Sequence, residues 1–245
     1  DKLLQSVSSE ILDSKIDSKY KDPDNYWFGL SLRARIVVYA AERVDKNKLL
    51  GYKSLANPEF KGRVLIRSSS NIYNQSLIAH MISKYGLVEA EKWAMGLVRN
   101  FARDPAGGDR DQVKALAAGE GDIAIVNSYY VANMMDTDNK NLFDKLRIYF
   151  PNDDFMGTHL NISGAAVLKN APNINNAIKF IEFLASDEAQ YIYANINYEY
   201  PVVKGIKIPL ILQEFGSYIE DNILTNEYGK LSSEAIKLAD RVGWK

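Results

Sequence analysis

Three tyrosines are the residues of this chain whose type and placement could do chemistry. Tyr129 and Tyr130 close the stretch "GDIAIVNSYY", Gly121 to Tyr130, and Tyr73 lies within "SSSNIYNQ". A phenol prefers a buried ring and a wet hydroxyl, so adjacent tyrosines at a strand end can be packing and nothing more. The alternative is that the oxygens hold a ligand. With a reference pKa of about 10, a phenol ionises near neutral pH only beside a strong positive charge. A bound cation supplies it, because coordinating groups lose their protons as the metal binds. Oxygen donors suit hard cations, and three phenolates would neutralise one ferric ion, Fe(III). Zinc and copper(I), which favour nitrogen and sulfur, match such a set poorly.

Composition removes most competing chemistries. With 245 residues, 47% hydrophobic and 25% charged, the chain is long enough for a sizeable core. It has no cysteine, which excludes disulfides, thiolate metal sites, iron-sulfur clusters and cysteine nucleophiles. The only histidines are His80 and His159, too few for a multi-histidine zinc or non-haem iron centre, and both read as structural. Thirty basic and 31 acidic residues give a net charge of -1, with no electrostatic footprint for nucleic acid or an anionic membrane. No apolar run approaches the roughly 20 residues needed to span a bilayer, so membrane insertion is not expected. The first residues, "DKLLQSVSSEILDSKIDSKYKD", are too polar for a signal peptide, so the protein is either cytosolic or shorn of its targeting segment. No nucleophile-base pair, P-loop or GxGxxG after a strand is found, and an enzyme is not expected.

The elements that would position the tyrosines follow from periodicity. Leu3, Leu4, Val7, Ile11, Leu12 and Ile16 predict an amphipathic helix over residues 1 to 19, and "WFGLSLRARIVVYA" reads as a strand. A buried strand at Val64 to Ile66 leads into the helix "NIYNQSLIAHMISKYG", followed by the helices "LVEAEKWAMGLVRNF" and "RDQVKALAAGEG". The strand "DIAIVN" then opens onto Tyr129, Tyr130 and the helix-like "VANMM", with a polar loop, the strands "LRIYF" and "LNISGAAVL", and three further helices after it. Strands alternating with long helices predict an α/β fold with parallel sheets and crossover helices. Both tyrosine sites then lie where a strand hands over to a helix. Ligands of open α/β sheets bind at that edge, and helix N-termini there bias a phenol toward phenolate. Asn127, and Asp109 with Arg110 in "GGDRDQV", could hold an anion or brace the tyrosines, though alone they read as turn and cap residues. Tyr191, Tyr193 and Tyr200 are expected to pack helices in the C-terminal part.

Five strings, "DPDNYWFGLSLRARIVVYA", "IRSSSNIYNQSL", "GGDRDQVKALAAGEGDIAIVNSYY", "THLNISGAAVLKNAPN" and "EAIKLADRVGWK", resemble the periplasmic ferric-ion-binding proteins of bacterial ABC transporters, in their tyrosine-rich branch. The resemblance runs from about residue 22 to the end. It implies a two-lobed, type II periplasmic-binding-protein (Venus-flytrap) architecture with ferric iron in the cleft. Tyr129 and Tyr130 map onto the family's adjacent phenolate pair, Tyr73 onto the third, and Asn127 onto a position that meets a synergistic anion such as carbonate. The implied partner is an inner-membrane ABC permease, the implied location the periplasm, and the implied state a monomer. The implied lobes are 1–36 with 158–245 (lobe 1) and 37–157 (lobe 2, carrying the tyrosines), with the family's first strand-helix-strand unit missing from lobe 1, as in an N-terminally truncated copy. The same fold could instead bind a small organic ligand or an oxyanion, with the tyrosines stacking on it or hydrogen-bonding to it.

Overall fold

The computed structural model describes residues 3–137, 143–221 and 225–245. The single N-terminal helix expected from the apolar spacing resolves into a two-residue strand, β1 (Leu4–Gln5), and a six-residue helix, α1 (Glu10–Lys15). Leu4 and Gln5 pair with Leu168 and Val167, and Ser9 caps the helix by accepting the Leu12 N-H. The helical pattern survives only in its inner half. Val7, Leu12 and Ile16 are buried, whereas Leu3 and Ile11 are 72% and 48% exposed.

β2 (Phe28–Ala40) organises everything after it. Its 13 residues span roughly 40 Å at the rise of an extended chain, more than one sheet needs. Then follow α2 (Gly51–Ser54), β3 (Val64–Leu65), α3 (Ile72–Tyr85), α4 (Leu87–Arg99), α5 (Asp109–Ala117), β4 (Ile123–Asn127) and α6 (Ser128–Thr137). The chain continues through β5 (Leu146–Tyr149), β6 (Leu160–Ala165), β7 (Val167–Leu168), α7 (Ile174–Leu184), α8 (Asp187–Asn195), β8 (Tyr200–Pro201), α9 (Leu210–Glu214) and α10 (Thr225–Val242). The polar loop expected after "VANMM" falls largely outside the described residues.

The first half of β2 pairs with β6 and β8, the second half with β4 and β5, so one strand serves two sheets. The expectation of parallel sheets needs correction: among the described strands only β3 and β4 run parallel, and β2 is antiparallel to all four of its partners. A strand that crosses between two lobes meets on each side strands returning in the opposite direction. Alternation along β2 then builds two cores. Ile36, Val38 and Ala40 face Val113, Leu116 and Val131 of α5 and α6, while Val37 and Tyr39 join the cluster of Leu77 and Ile78 (α3), Leu97 (α4) and Leu238 (α10).

The expected lobe division puts 158–245 together in lobe 1; within that segment α10 packs on α3 and α4, with Ala235, Leu238, Ala239 and Trp244 buried among them. The apolar stripe of a long amphipathic helix goes where an unfilled face exists, and here that face belongs to 37–157. Among the described residues no helix is long and apolar enough to cross a membrane.

Candidate metal centre

Each tyrosine of interest sits in the first turn of a helix that a strand has just delivered. Tyr73 is the second residue of α3, and its N-H donates to the Asn71 side chain that caps the helix, at 3.0 Å. α3 ends at Tyr85, and the following Gly86 has a positive φ of 78°, which glycine adopts without steric cost. Tyr129 and Tyr130 are the second and third residues of α6, directly after β4 ends at Asn127. The preceding Ser128 is buried and accepts the Ala34 N-H of β2 at 3.1 Å, tying the turn to the central strand.

These two helix starts bring the three phenols together. The Tyr73 and Tyr129 hydroxyl oxygens are 3.4 Å apart, and the Tyr129 and Tyr130 rings have centroids 4.0 Å apart. All three residues are half-buried. The expected bias toward phenolate is not what the surroundings produce. Burial first, then the hydrogen bonds and charge of Tyr130 and Tyr73, push the Tyr129 phenol well above the ordinary tyrosine range. Desolvation and the neighbouring phenols outweigh a helix N-terminus, so Tyr129 is a neutral phenol near neutral pH.

Four guanidinium groups ring the trio. Those of Arg33, Arg35 and Arg67 lie 5.8, 5.9 and 5.7 Å from the Tyr73 ring centre, and that of Arg110 lies 5.7 Å from Tyr130. Arg35 is wholly buried. Its Nη1 donates to Asp109 at 2.7 Å and to Asn127 at 3.3 Å, and its Nη2 donates to Asn74 at 2.7 Å. It thereby ties β2, α3, α5 and β4 together just behind the phenols. Arg33 bonds Ser163 of β6 at 2.6 Å and lies 3.9 Å from Glu199, while its buried Nε makes no hydrogen bond.

The sequence-expected accessory residues take different places. Asn127 is buried with its side-chain oxygen on Arg35, and its Nδ2 has no hydrogen-bond partner. Arg110 is exposed and donates to Asn133 at 2.6 Å. Asp109 is buried. Its carboxylate is committed to Arg35, to the Asn127 N-H at 2.7 Å and to Arg67 at 3.4 Å. The sequence reading assigned no role to Arg33, Arg35, Arg67 or Asn74. Its usable signal was two arginines inside an otherwise apolar strand, "LSLRARIVV", a pattern that a buried strand tolerates only if the charges are paired.

The remaining candidates lie elsewhere. His80 and His159 are wholly buried and bonded to each other through their Nδ1 atoms at 2.8 Å. Tyr193 and Tyr200 pack against the core, though Tyr200 lies on β8, whereas Tyr191, expected to pack, is 52% exposed. Among the described residues no group of three or more His, Cys, Asp or Glu is placed to hold a metal.

Removing Asp109 tests the frame behind the tyrosines. Asp109→Ala strands the buried Arg35 charge and should cost about 3 kcal/mol, the lower end for breaking a buried pair. Asp109→Asn, which keeps the shape and part of the hydrogen bonding, should cost visibly less. Urea unfolding of both variants checks this, and equal, sub-kilocalorie losses would show that Arg35 is not held by the pair.

Comparison with known proteins agrees with the architecture. The chain is 40% identical over 248 residues to the iron uptake protein A1 of Synechocystis sp., a match covering 100% of this chain and 69% of that protein. The solved structure of Trichodesmium IdiA (FutA) in complex with iron and citrate is 50% identical with a TM-score of 0.94, covering 99% of this chain and 78% of the other. The ferric binding protein of Campylobacter jejuni is 38% identical with a TM-score of 0.94, covering 99% and 78%. Ferric-binding proteins of this kind have the two-lobed type II periplasmic fold, and this chain shares it. The family profile of bacterial extracellular solute-binding proteins matches residues 2–228, and the chain belongs to that family, with iron uptake and ferric-binding proteins as its close homologues.

Proposed function

We propose that this chain binds ferric iron between its lobes through the phenolates of Tyr73, Tyr129 and Tyr130 and delivers it to an ABC permease. The observation that carries the reading is the convergence of three phenols from two separate helix starts, with the Tyr73 and Tyr129 oxygens 3.4 Å apart and the Tyr130 ring 4.0 Å from that of Tyr129. Their hardness and combined charge match a trivalent cation. The tyrosines belong to lobe 2, built from 37–157 and closed by α10, while 1–36 and most of 158–221 form the facing lobe. Iron meets lobe 2 first, and hinge closure completes the shell. A synergistic anion fills part of that shell, and the unpartnered Asn127 Nδ2 and Arg33 Nε are donors suited to it. The protein is a non-enzymatic carrier of the periplasm, acting as a monomer.

A visible titration with ferric citrate at neutral pH tests the proposal. Phenolate-to-iron charge transfer should give an orange to red band that saturates at one iron per chain. A protein that stays colourless while excess ferric citrate is present overturns it.

A further inference from the structure

We infer that the adjacent carboxylates Glu220 and Asp221 form a two-sided clasp on a third inter-lobe crossing, which holds the lobes in register and positions the Tyr73 helix. In an extended segment successive side chains point to opposite faces. Here the two faces address different lobes. Glu220 accepts bonds from the Lys19 ammonium and the Tyr20 hydroxyl, in the turn that leads into the first half of β2. Asp221 turns the other way, to His80 at 3.1 Å and Lys84 at 2.6 Å on α3. The segment itself is pinned between them. Thr158 donates its N-H to the Ile219 carbonyl at 2.8 Å and bridges Glu220, and the Gly157 N-H donates to Asp221 at 3.1 Å. A side chain at Gly157 would put its Cβ 2.5 Å from the Ile219 oxygen, so only glycine permits the approach.

The contact with α3 continues inward as a chain of hydrogen bonds whose direction can be worked out. Asp221 is ionised, its carboxyl held well below the usual range by His80 and Lys84 despite burial. As an acceptor it requires a proton on His80 Nε2, which leaves His80 Nδ1 as an acceptor. His159 Nδ1 must then donate to it across the 2.8 Å contact, and His159 Nε2 accepts from the Ser76 hydroxyl at 2.8 Å and the Asn161 amide at 3.4 Å. Ser76 lies one helical turn from Tyr73 on α3. Each bond of the chain thus points toward Asp221, and the tautomers of both histidines are fixed by it.

A proton added to either imidazole would set two N-H groups against each other at the Nδ1 contact. The charged groups facing the pair are Asp221, Lys84 and Arg35. Burial lowers both histidines from their ordinary value of 6.5, His159 well below it. A base with a depressed native pKa stabilises the fold fully above its unfolded pKa. The clasp is therefore intact above pH 6.5 and loosens as pH falls through the depressed native values.

The absence of cysteine makes a distance measurement direct. Val88→Cys on α4 and Lys179→Cys on α7, both exposed, can be spin-labelled and the inter-lobe distance distribution recorded by pulsed resonance in the iron-free protein. Measured without iron, the result does not depend on what the tyrosines hold. The parent should give a narrow distribution at pH 7.5 that broadens on acidification. Glu220→Gln and Asp221→Asn should broaden it at pH 7.5 already and, in the iron-loaded protein, speed iron release about tenfold, within the usual range of coupling between linked sites. His80→Gln offers an amide oxygen and an amide N-H in place of the two ring nitrogens and does not titrate. It should stay narrow at pH 7.5 and shift the onset of broadening to lower pH. Distributions of Glu220→Gln and Asp221→Asn that superimpose on the parent at every pH, with circular dichroism showing all variants folded, would falsify the clasp.

Discussion

Lowering the pH by one unit near neutrality should weaken ferric binding by about 1000-fold, if each of three phenols must shed its proton to become a ligand. The sign follows from the free protein, where burial and the neighbouring phenols hold Tyr129 protonated far above neutral pH. Each displaced proton contributes a factor of ten per pH unit, and affinity rises with pH. Two measurements check this together. Competition against a chelator of known protonation gives the slope, and a pH-stat titration counts the protons released, about three per iron from the tyrosines. A release near zero would mean that the phenols bind cargo as neutral groups, as they would an organic ligand. In the free protein Tyr129 is thus a neutral phenol and adds no negative charge beside its neighbours. Cation and deprotonation then arrive together.

The parts of this architecture that were legible in the sequence are those governed by local rules. The helices carrying Tyr73 and Tyr130 were readable because each follows a short buried strand, and Asn71 and Gly86 mark both ends of α3. β2 was readable as a long strand from apolar and small residues broken only by Arg33 and Arg35. What local rules cannot show is pairing over long separations. Nothing near Asp109 announces that its carboxylate meets Arg35, 74 residues away, or that Asp221 meets His80 across 141. The destination of α10 was hidden for the same reason, since its apolar stripe says that it packs but not on which lobe. The N-terminal helix failed differently. There the tertiary pairing of Leu4 and Gln5 with Val167 and Leu168 overrode a helical spacing too short to enforce itself.

A buried guanidinium beside a proposed cation site needs a physical account, and Arg35 has one. Its charge is paired with Asp109 and shared with Asn74 and Asn127, so little positive potential remains to repel iron. Arg67 is likewise engaged by Asp109. Arg33 is the most loosely paired of the three, 3.9 Å from its nearest carboxylate, and its Nε, like that of Arg35, has no hydrogen-bond partner. Under the proposed function, a guanidinium held in that condition beside Tyr73 and Tyr129 would favour an anion arriving with the metal and lower the cost of forming phenolate there.

Tyr129→Phe should be the most damaging single substitution to cargo binding, lowering ferric affinity at least about 1000-fold, some 4 kcal/mol. Losing an outer-shell partner of a metal ligand costs roughly 10 to 100-fold, and losing a ligand atom together with its negative charge must exceed that. Tyr129 is the middle member of the trio, with one neighbour's hydroxyl at 3.4 Å and the other's ring stacked at 4.0 Å, so its oxygen has the least freedom to be replaced by water. The ring itself would remain in place, because phenylalanine keeps every apolar contact that the tyrosine makes. Stability should therefore change by no more than about 0.5 kcal/mol, which separates loss of a ligand from loss of the fold. Proton release should fall by one per iron, and the charge-transfer band should weaken and move, whereas Tyr191→Phe, altering an exposed phenol, should leave all three readings unchanged. If Tyr73→Phe, Tyr129→Phe and Tyr130→Phe each weaken binding less than about tenfold, the tyrosines stack on or hydrogen-bond to an organic or oxyanionic ligand, and the ferric reading falls.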